Sequence, residues 1–135
     1  MKAVRCVRHG PPEALVVQDV DTPVPQAGEV LVSVKAAGVN FPDTLIIQDK
    51  YQFKPALPFT PGGELAGVVA AVGPGVTRVK VGQNVIGFTG WGAFAEQAIV
   101  KEDQTVPMPP AAPSTSTVSP ARNCARSVSA CRQVP

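Results

Sequence analysis

Two rhythms of apolar residues run through the first 106 positions of this chain. Residues 29–35 (EVLVSVK) alternate strictly, with Val30, Val32 and Val34 on one side and Leu31, Ser33 and Lys35 on the other. That period of two predicts a strand that is half-buried or better. Residues 65–72 (LAGVVAAV) form a nearly unbroken apolar run instead. The paired valines favour a strand buried on both faces, although a short buried helix would show the same run. The turn Thr60-Pro61-Gly62-Gly63 leads into it and Gly73-Pro74-Gly75 stops it. Residues 2–7, 15–20, 84–88 and 93–100 read as further strands, separated by Gly and Pro. A short helix is expected over residues 44–48, with Pro42 suited to its first position and Asp43 just inside its start. Residues 49–59 read as a loop bearing Tyr51, Phe53 and Phe59, of the length that often lines a site. Six or seven short strands with one short helix predict a mainly β domain, a barrel or a sandwich.

Composition changes this picture at Pro107. Residues 107–135 hold six prolines, are rich in Ser and Thr, and contain no Leu, Ile, Phe, Trp or Tyr. Such a segment buries too little apolar surface to offset the entropy of ordering it. The expected division is therefore a folded domain over 1–106 and a disordered carboxyl-terminal tail over 107–135. Charge divides the same way: the chain carries +2 overall, made of −1 in residues 1–106 and +3, all arginine, in the tail. Three arginines without aromatics are a weak footprint for nucleic acid, so no nucleic-acid partner is expected. No apolar run approaches the ~18 residues of a membrane helix. Arg5, Arg8 and His9 interrupt any leader-like apolar core near the amino terminus. Three cysteines without an oxidising context are expected to stay reduced, and the localisation expected is cytoplasmic.

The residues that could carry chemistry are few. Glu64 stands at the entrance to the apolar run, where an unpartnered buried charge would be costly. Cys6-x-x-His9 is a single pair, short of the four N/S ligands of a structural zinc site, so no metal is expected there. On the residues alone, Asn40 reads as a left-handed turn position, Asp43 as a helix-start charge and Tyr51 as loop packing. Gly90-Trp91-Gly92-Ala93-Phe94-Ala95 fits the G-x-G-x-x-A dinucleotide fingerprint, yet the next segment reads as strand rather than helix. It is expected to be a hairpin turn.

Four blocks in order carry a resemblance: residues 25–32 (PQAGEVLV), 37–43 (AGVNFPD), 58–69 (PFTPGGELAGVV) and 81–85 (VGQNV). They resemble the amino-terminal domain of the medium-chain dehydrogenase/reductase superfamily, in the zinc-independent NADPH:quinone oxidoreductase branch, the relatives of zeta-crystallin. The likeness covers about residues 1–110. It implies a GroES-like, partly open β-barrel with one short helix, followed in the family by a Rossmann cofactor domain that this chain is expected to lack. Zinc relatives have Cys where this chain has Asn40 and His where it has Gly63, so Glu64 alone implies no Lewis-acid centre. The resemblance implies NADPH as cofactor and a quinone or another small carbonyl as substrate. Asn40 and Tyr51 are then catalytic, and Asn40 and Asp43 lie against the cofactor. It also implies a substrate-side domain inactive by itself, with an apolar face near Tyr51, Phe53 and Phe59 that favours self-association. A stand-alone GroES-like binding module without catalysis remains the alternative.

Overall fold

A computed structural model gives the fold and describes residues 1–109. Strand β1 (Lys2–Arg5) pairs antiparallel with β2 (Val16–Asp19). The other strands are β3 (Glu29–Gly38), β4 (Glu64–Val72), β5 (Asn84–Phe88), β6 (Gln97–Lys101) and β7 (Thr105–Pro107). They form one antiparallel sheet in the order β6-β3-β4-β5-β7. Among the described residues there is a single α-helix, α1 (Phe41–Ile46), between β3 and β4. Isolated bridges from Ala3 to Ala95 and from Cys6 to Phe59 tie the first strand and the residue after it to the segments that lead into β6 and β4. The architecture is the expected one: mainly β, a partly open barrel with one short helix. Among the described residues no helix is long and apolar enough to cross a membrane.

The core follows from the pleat. Cross-strand partners share a face of a sheet, so Leu65 opposite Gly87 and Gly67 opposite Val85 point the same way. With Val30, Val32, Val69, Ala98 and Val100 they fill the interior. A second cluster of Cys6, Ile46, Ile47 and Phe59 joins α1 to β1 and to the loop before β4. The β3–β4 register shifts twice, between Leu31 and Val32 and again between Val34 and Ala36. A bulge of this kind resets which side chains face inward, so Ala36 and Ala37 are buried while Lys35 is exposed.

Five details depart from the sequence pattern. Strand β4 is buried on one face only, because Ala66, Val68 and Ala70 stand on the outer side and remain half-buried. Strand β3 runs on through Gly38 instead of turning at residue 36, which the second bulge permits. Residues 93–96 form no regular strand, since their backbone bonds to Pro61, Gly62 and Lys2 rather than to a ladder. The helix begins at Phe41, one residue before the expected first position at Pro42, and ends at Ile46 rather than Gln48. Strand β7 was not foreseen at all, and it carries the folded region one residue past 106. Beyond Pro109 the expected disorder of the tail lies outside the described residues.

Glu102 adds a tie that periodicity does not reveal. Its carboxylate accepts the backbone N–H groups of Arg78 at 2.6 Å and Thr77 at 2.7 Å, pinning the β4–β5 connection beside the end of β6. Those same amides, Arg78 first, hold the carboxyl below its usual range.

Close strand approach makes Gly67 the sharpest test of this packing. A Cβ there would run into the Ser33 carbonyl, a backbone atom with little freedom to yield. Gly67→Ala is expected to destabilise the domain by about 1–3 kcal/mol or more in urea unfolding. The control Val24→Ala, at a position 73% exposed, is expected to stay within about 0.5 kcal/mol of the parent.

Candidate functional site

The site begins where β3 ends. Asn40 is the N-cap of α1, with extended backbone angles (φ −118°, ψ 161°) rather than the left-handed ones expected from its residue type. Pro42 sits in the first turn, where its missing N–H costs nothing. Asp43, three residues past the cap, accepts the Asn40 backbone N–H at 2.8 Å. That closes one half of a capping arrangement and fixes the chain's entry into the helix.

Asp43 does more than cap. The residue is only 7% exposed, and its carboxylate takes its hydrogen bond from the Asn40 backbone amide, while the nearby Gly62 and Gly63 amides also favour its charged form. Burial pushes this carboxyl above its usual value of 3.8; the amides pull the other way, and the charge of Glu64 adds to the rise. Glu64 itself lies across Gly38, its register partner on β3. A Cβ at Gly38 would collide with the Glu64 carboxylate, so the missing side chain is what makes room for it. The two acids therefore meet where β3 ends and β4 starts.

The turn between them is held from behind. The Thr89 N–H donates to the Gly63 carbonyl at 2.8 Å, Ala93 to Gly62 at 3.0 Å and Phe94 to Pro61 at 3.0 Å. The fingerprint-like stretch 90–95 is thus a buttress for the Gly62–Gly63 turn and starts no helix. Its glycines suited a phosphate loop in the sequence, but the amides of Ala93 and Phe94 that follow them are spent on this turn.

Of the sequence-predicted site residues, Asn40 and Asp43 are brought into contact. Tyr51 packs elsewhere, on the cluster of Cys6, Ile46, Ile47 and Phe59, and its ring meets Phe53 edge-on with centroids 5.7 Å apart. Phe59, expected on an apolar surface, is 4% exposed and belongs to the core; only Phe53 of that pair of phenylalanines is open. The exposed apolar residues nearest in sequence to Asn40 are instead Val39 and Phe41, at 65% and 74%. Phe88, opposite Glu64 in the β4–β5 register, is exposed too. Sequence reading passed over Val39 and Phe41, although two apolar residues flanking a polar cap were a usable signal. The Cys6 thiol is buried and donates to the Arg8 carbonyl at 3.3 Å, whereas His9 is exposed.

The pH dependence of stability follows from Asp43. A carboxyl whose folded-state pKa lies above its unfolded value binds its proton more tightly when folded. Its stabilisation is complete below the unfolded value of about 3.8 and is lost as pH rises through the folded one. Urea unfolding is expected to show this declining component, and Asp43→Asn to remove it.

With the geometry in place, comparison with known proteins is direct. The family model for the alcohol dehydrogenase GroES-like domain matches residues 26–110. The quinone oxidoreductase of Rattus norvegicus is 44% identical over 111 residues, and that of Homo sapiens 39%. In both cases the match takes in 81% of this chain and 34% of the relative, so the chain spans about a third of the curated relatives' length. Among solved structures, the Escherichia coli quinone oxidoreductase complexed with NADPH superposes with a TM-score of 0.77 at 33% identity, covering 81% of this chain and 33% of that one. The Pseudomonas syringae pv. tomato quinone oxidoreductase gives 0.78 at 36% identity, covering 95% and 38%. The barrel, the order of its motifs and the matched model place this chain in the alcohol dehydrogenase GroES-like domain family of the medium-chain dehydrogenase/reductase superfamily, with quinone oxidoreductases among its homologues.

Proposed function

We propose that residues 1–109 are the substrate side of an NADPH-dependent quinone oxidoreductase, acting on a quinone or another small carbonyl compound. The observation that carries this reading is the exposed Asn40, held at a fixed N-cap between the apolar, solvent-facing Val39 and Phe41. A planar ring with a carbonyl edge has the shape and polarity to meet that combination. The Asn40 side-chain N–H donates to the oxygen on which negative charge develops, and a fixed donor of this kind acts most strongly where water is excluded. Tyr51 forms an aromatic wall on the adjoining loop or donates its hydroxyl. Metal is given no part, because Asn40 and Gly63 occupy the positions where zinc relatives place Cys and His.

NADPH fits the residues present: an Asn amide both donates and accepts, as does the carboxamide of a nicotinamide ring, and the flanking Val39 and Phe41 suit its apolar face. When bound, NADPH supplies the hydride. In this reading its remaining contacts come from a cofactor domain, and the relatives are about three times the length of the stretch matched here.

NADPH oxidation with a simple quinone tests the proposal, comparing the chain alone with a fusion in which a relative's cofactor domain replaces residues 110–135. Positioning of the two reactants contributes ~7–11 kcal/mol, so its loss leaves the chain alone roughly five orders of magnitude slower, below detection. The fusion is expected to turn over, and Asn40→Ala within it to lower kcat by about 10²–10³-fold. Robust turnover by the chain alone, or an Asn40→Ala fusion as fast as its parent, would refute the assignment. A fusion that binds NADPH tightly and reduces nothing would favour a binding module instead.

A further inference from the structure

Strand β6 is an edge strand, and two bonds fix its phase against β3. Val34 donates its N–H to the Glu96 carbonyl at 2.9 Å, and Glu102 donates to the Gly28 carbonyl at 2.9 Å. Between them the register sets Val32 opposite Ala98 and Val30 opposite Val100. Hydrogen-bonded pairs alternate with non-bonded ones in an antiparallel ladder, so Ala98 and Val100 bond to β3. The N–H and C=O groups of Gln97 and Ile99 therefore point away from β3, and among the described residues no strand pairs with that edge. Upstream, β1 flanks the chain instead. Lys2 accepts the Glu96 N–H at 3.0 Å, Val4 donates to the Phe94 carbonyl at 2.8 Å, and the pairing is antiparallel. Alongside β6 that cover stops.

A cleft of about 580 Å³ opens there, lined by Gln97 and Ile99 together with Pro23, Pro58, Trp91 and Arg5. Arg5 is held by the Pro58 carbonyl at 2.9 Å and the Thr60 hydroxyl at 3.2 Å. Its Nε is buried with no hydrogen-bond partner, and no carboxylate among the described residues pairs with it. Asp21 lines the same cleft without forming an ion pair, so the Arg5 charge stands uncancelled. We propose that this cleft binds an extended peptide segment of another polypeptide, which adds to β6 as an antiparallel strand in continuation of β1 and sets an acidic side chain towards Arg5. A strand presents its edge groups at every second residue, ~7 Å apart, which is the spacing of those on Gln97 and Ile99. Main-chain bonds of this kind supply affinity, and the side chains select the sequence. Asn40, Asp43 and Tyr51 take no part, so the proposal stands apart from the quinone reading.

Two-dimensional ¹H–¹⁵N NMR of the full chain tests this with a synthetic probe, the peptide acetyl-Val-Thr-Val-Thr-Val-amide with one residue at a time replaced by Glu. Titration is expected to shift the Gln97 and Ile99 amides together, to saturation, and to slow their hydrogen exchange. The best Glu peptide is expected to bind about fivefold more tightly than its Gln counterpart. N-methylation of every second peptide nitrogen, in one of the two phases, removes the donors facing β6 and is expected to weaken binding by about tenfold. Ile99→Pro deletes an edge donor where an edge strand tolerates proline, and is expected to weaken binding as well. If that variant fails to fold, the N-methylated peptides decide on the unaltered chain. Unmoved Gln97 and Ile99 amides, binding indifferent to N-methylation in either phase, or Glu and Gln peptides that bind alike would each overturn the proposal. Shifts at these amides that follow protein concentration without peptide would give the edge to a second copy and overturn it too.

Discussion

Buried backbone amides must find acceptors, and at the centre of this domain the acceptor is a carboxylate. The Gly62–Gly63 turn leads into β4 outside any strand ladder, with Gly62 buried and Gly63 half-buried. Its amides favour the charged form of Asp43, and its carbonyls accept N–H groups from one stretch of backbone, residues 89–94. Leaving a buried N–H unpaired costs about 1–3 kcal/mol, and a buried carboxylate without donors costs more still. Each group is tolerable only because the other is present. The placement of Asn40 follows from that mutual dependence.

The barrel exists around this arrangement in a specific sense. Strand β3 delivers Gly38 to the point where β4 begins at Glu64, and the bulge at Lys35 corrects the phase so that Ala36 and Ala37 bury themselves just before the site. Strand β5 brings Phe88 opposite Glu64. The second cluster anchors α1 from beneath through Ile46 and Ile47. A rigid sheet on one side and a short, well-anchored helix on the other hold polar groups to the tolerance that positioning demands. The net effect of burying Asp43 is a raised pKa, so the domain gives up stability at neutral pH to keep a charge there.

Much of this was legible in the sequence, for reasons that can be traced. The strict alternation of residues 29–35 reports a strand because one face is buried and the other is not. The Thr60-Pro61-Gly62-Gly63 turn announces itself through residues that few other structures need. The uniform run at 65–72 misleads, because Ala66, Val68 and Ala70 are apolar yet sit on the outer side with no described layer over them. Strand β7 is three residues long and ends in proline, too short for any period to register. Asn40 was misassigned to the left-handed region because asparagine serves turns and helix caps alike; the deciding neighbour was Asp43, three residues on. What no pattern could show is the partner of Asp43, since amides carry no residue identity and two of them lie about twenty positions away. Tyr51 was grouped with Asn40 and Asp43 by resemblance; it packs on the cluster that includes Ile46 and Ile47 at the far end of α1.

Hydrogen exchange at the turn tests the central claim most directly. At neutral pH the amides of Gly62 and Gly63 are expected to exchange as slowly as core amides of β4 such as Val69. In Asp43→Asn they should become selectively fast while Val69 stays protected. Gly62 and Gly63 amides that exchange at the rate of an open loop in the unaltered chain, or that keep their protection in Asp43→Asn, would contradict the account.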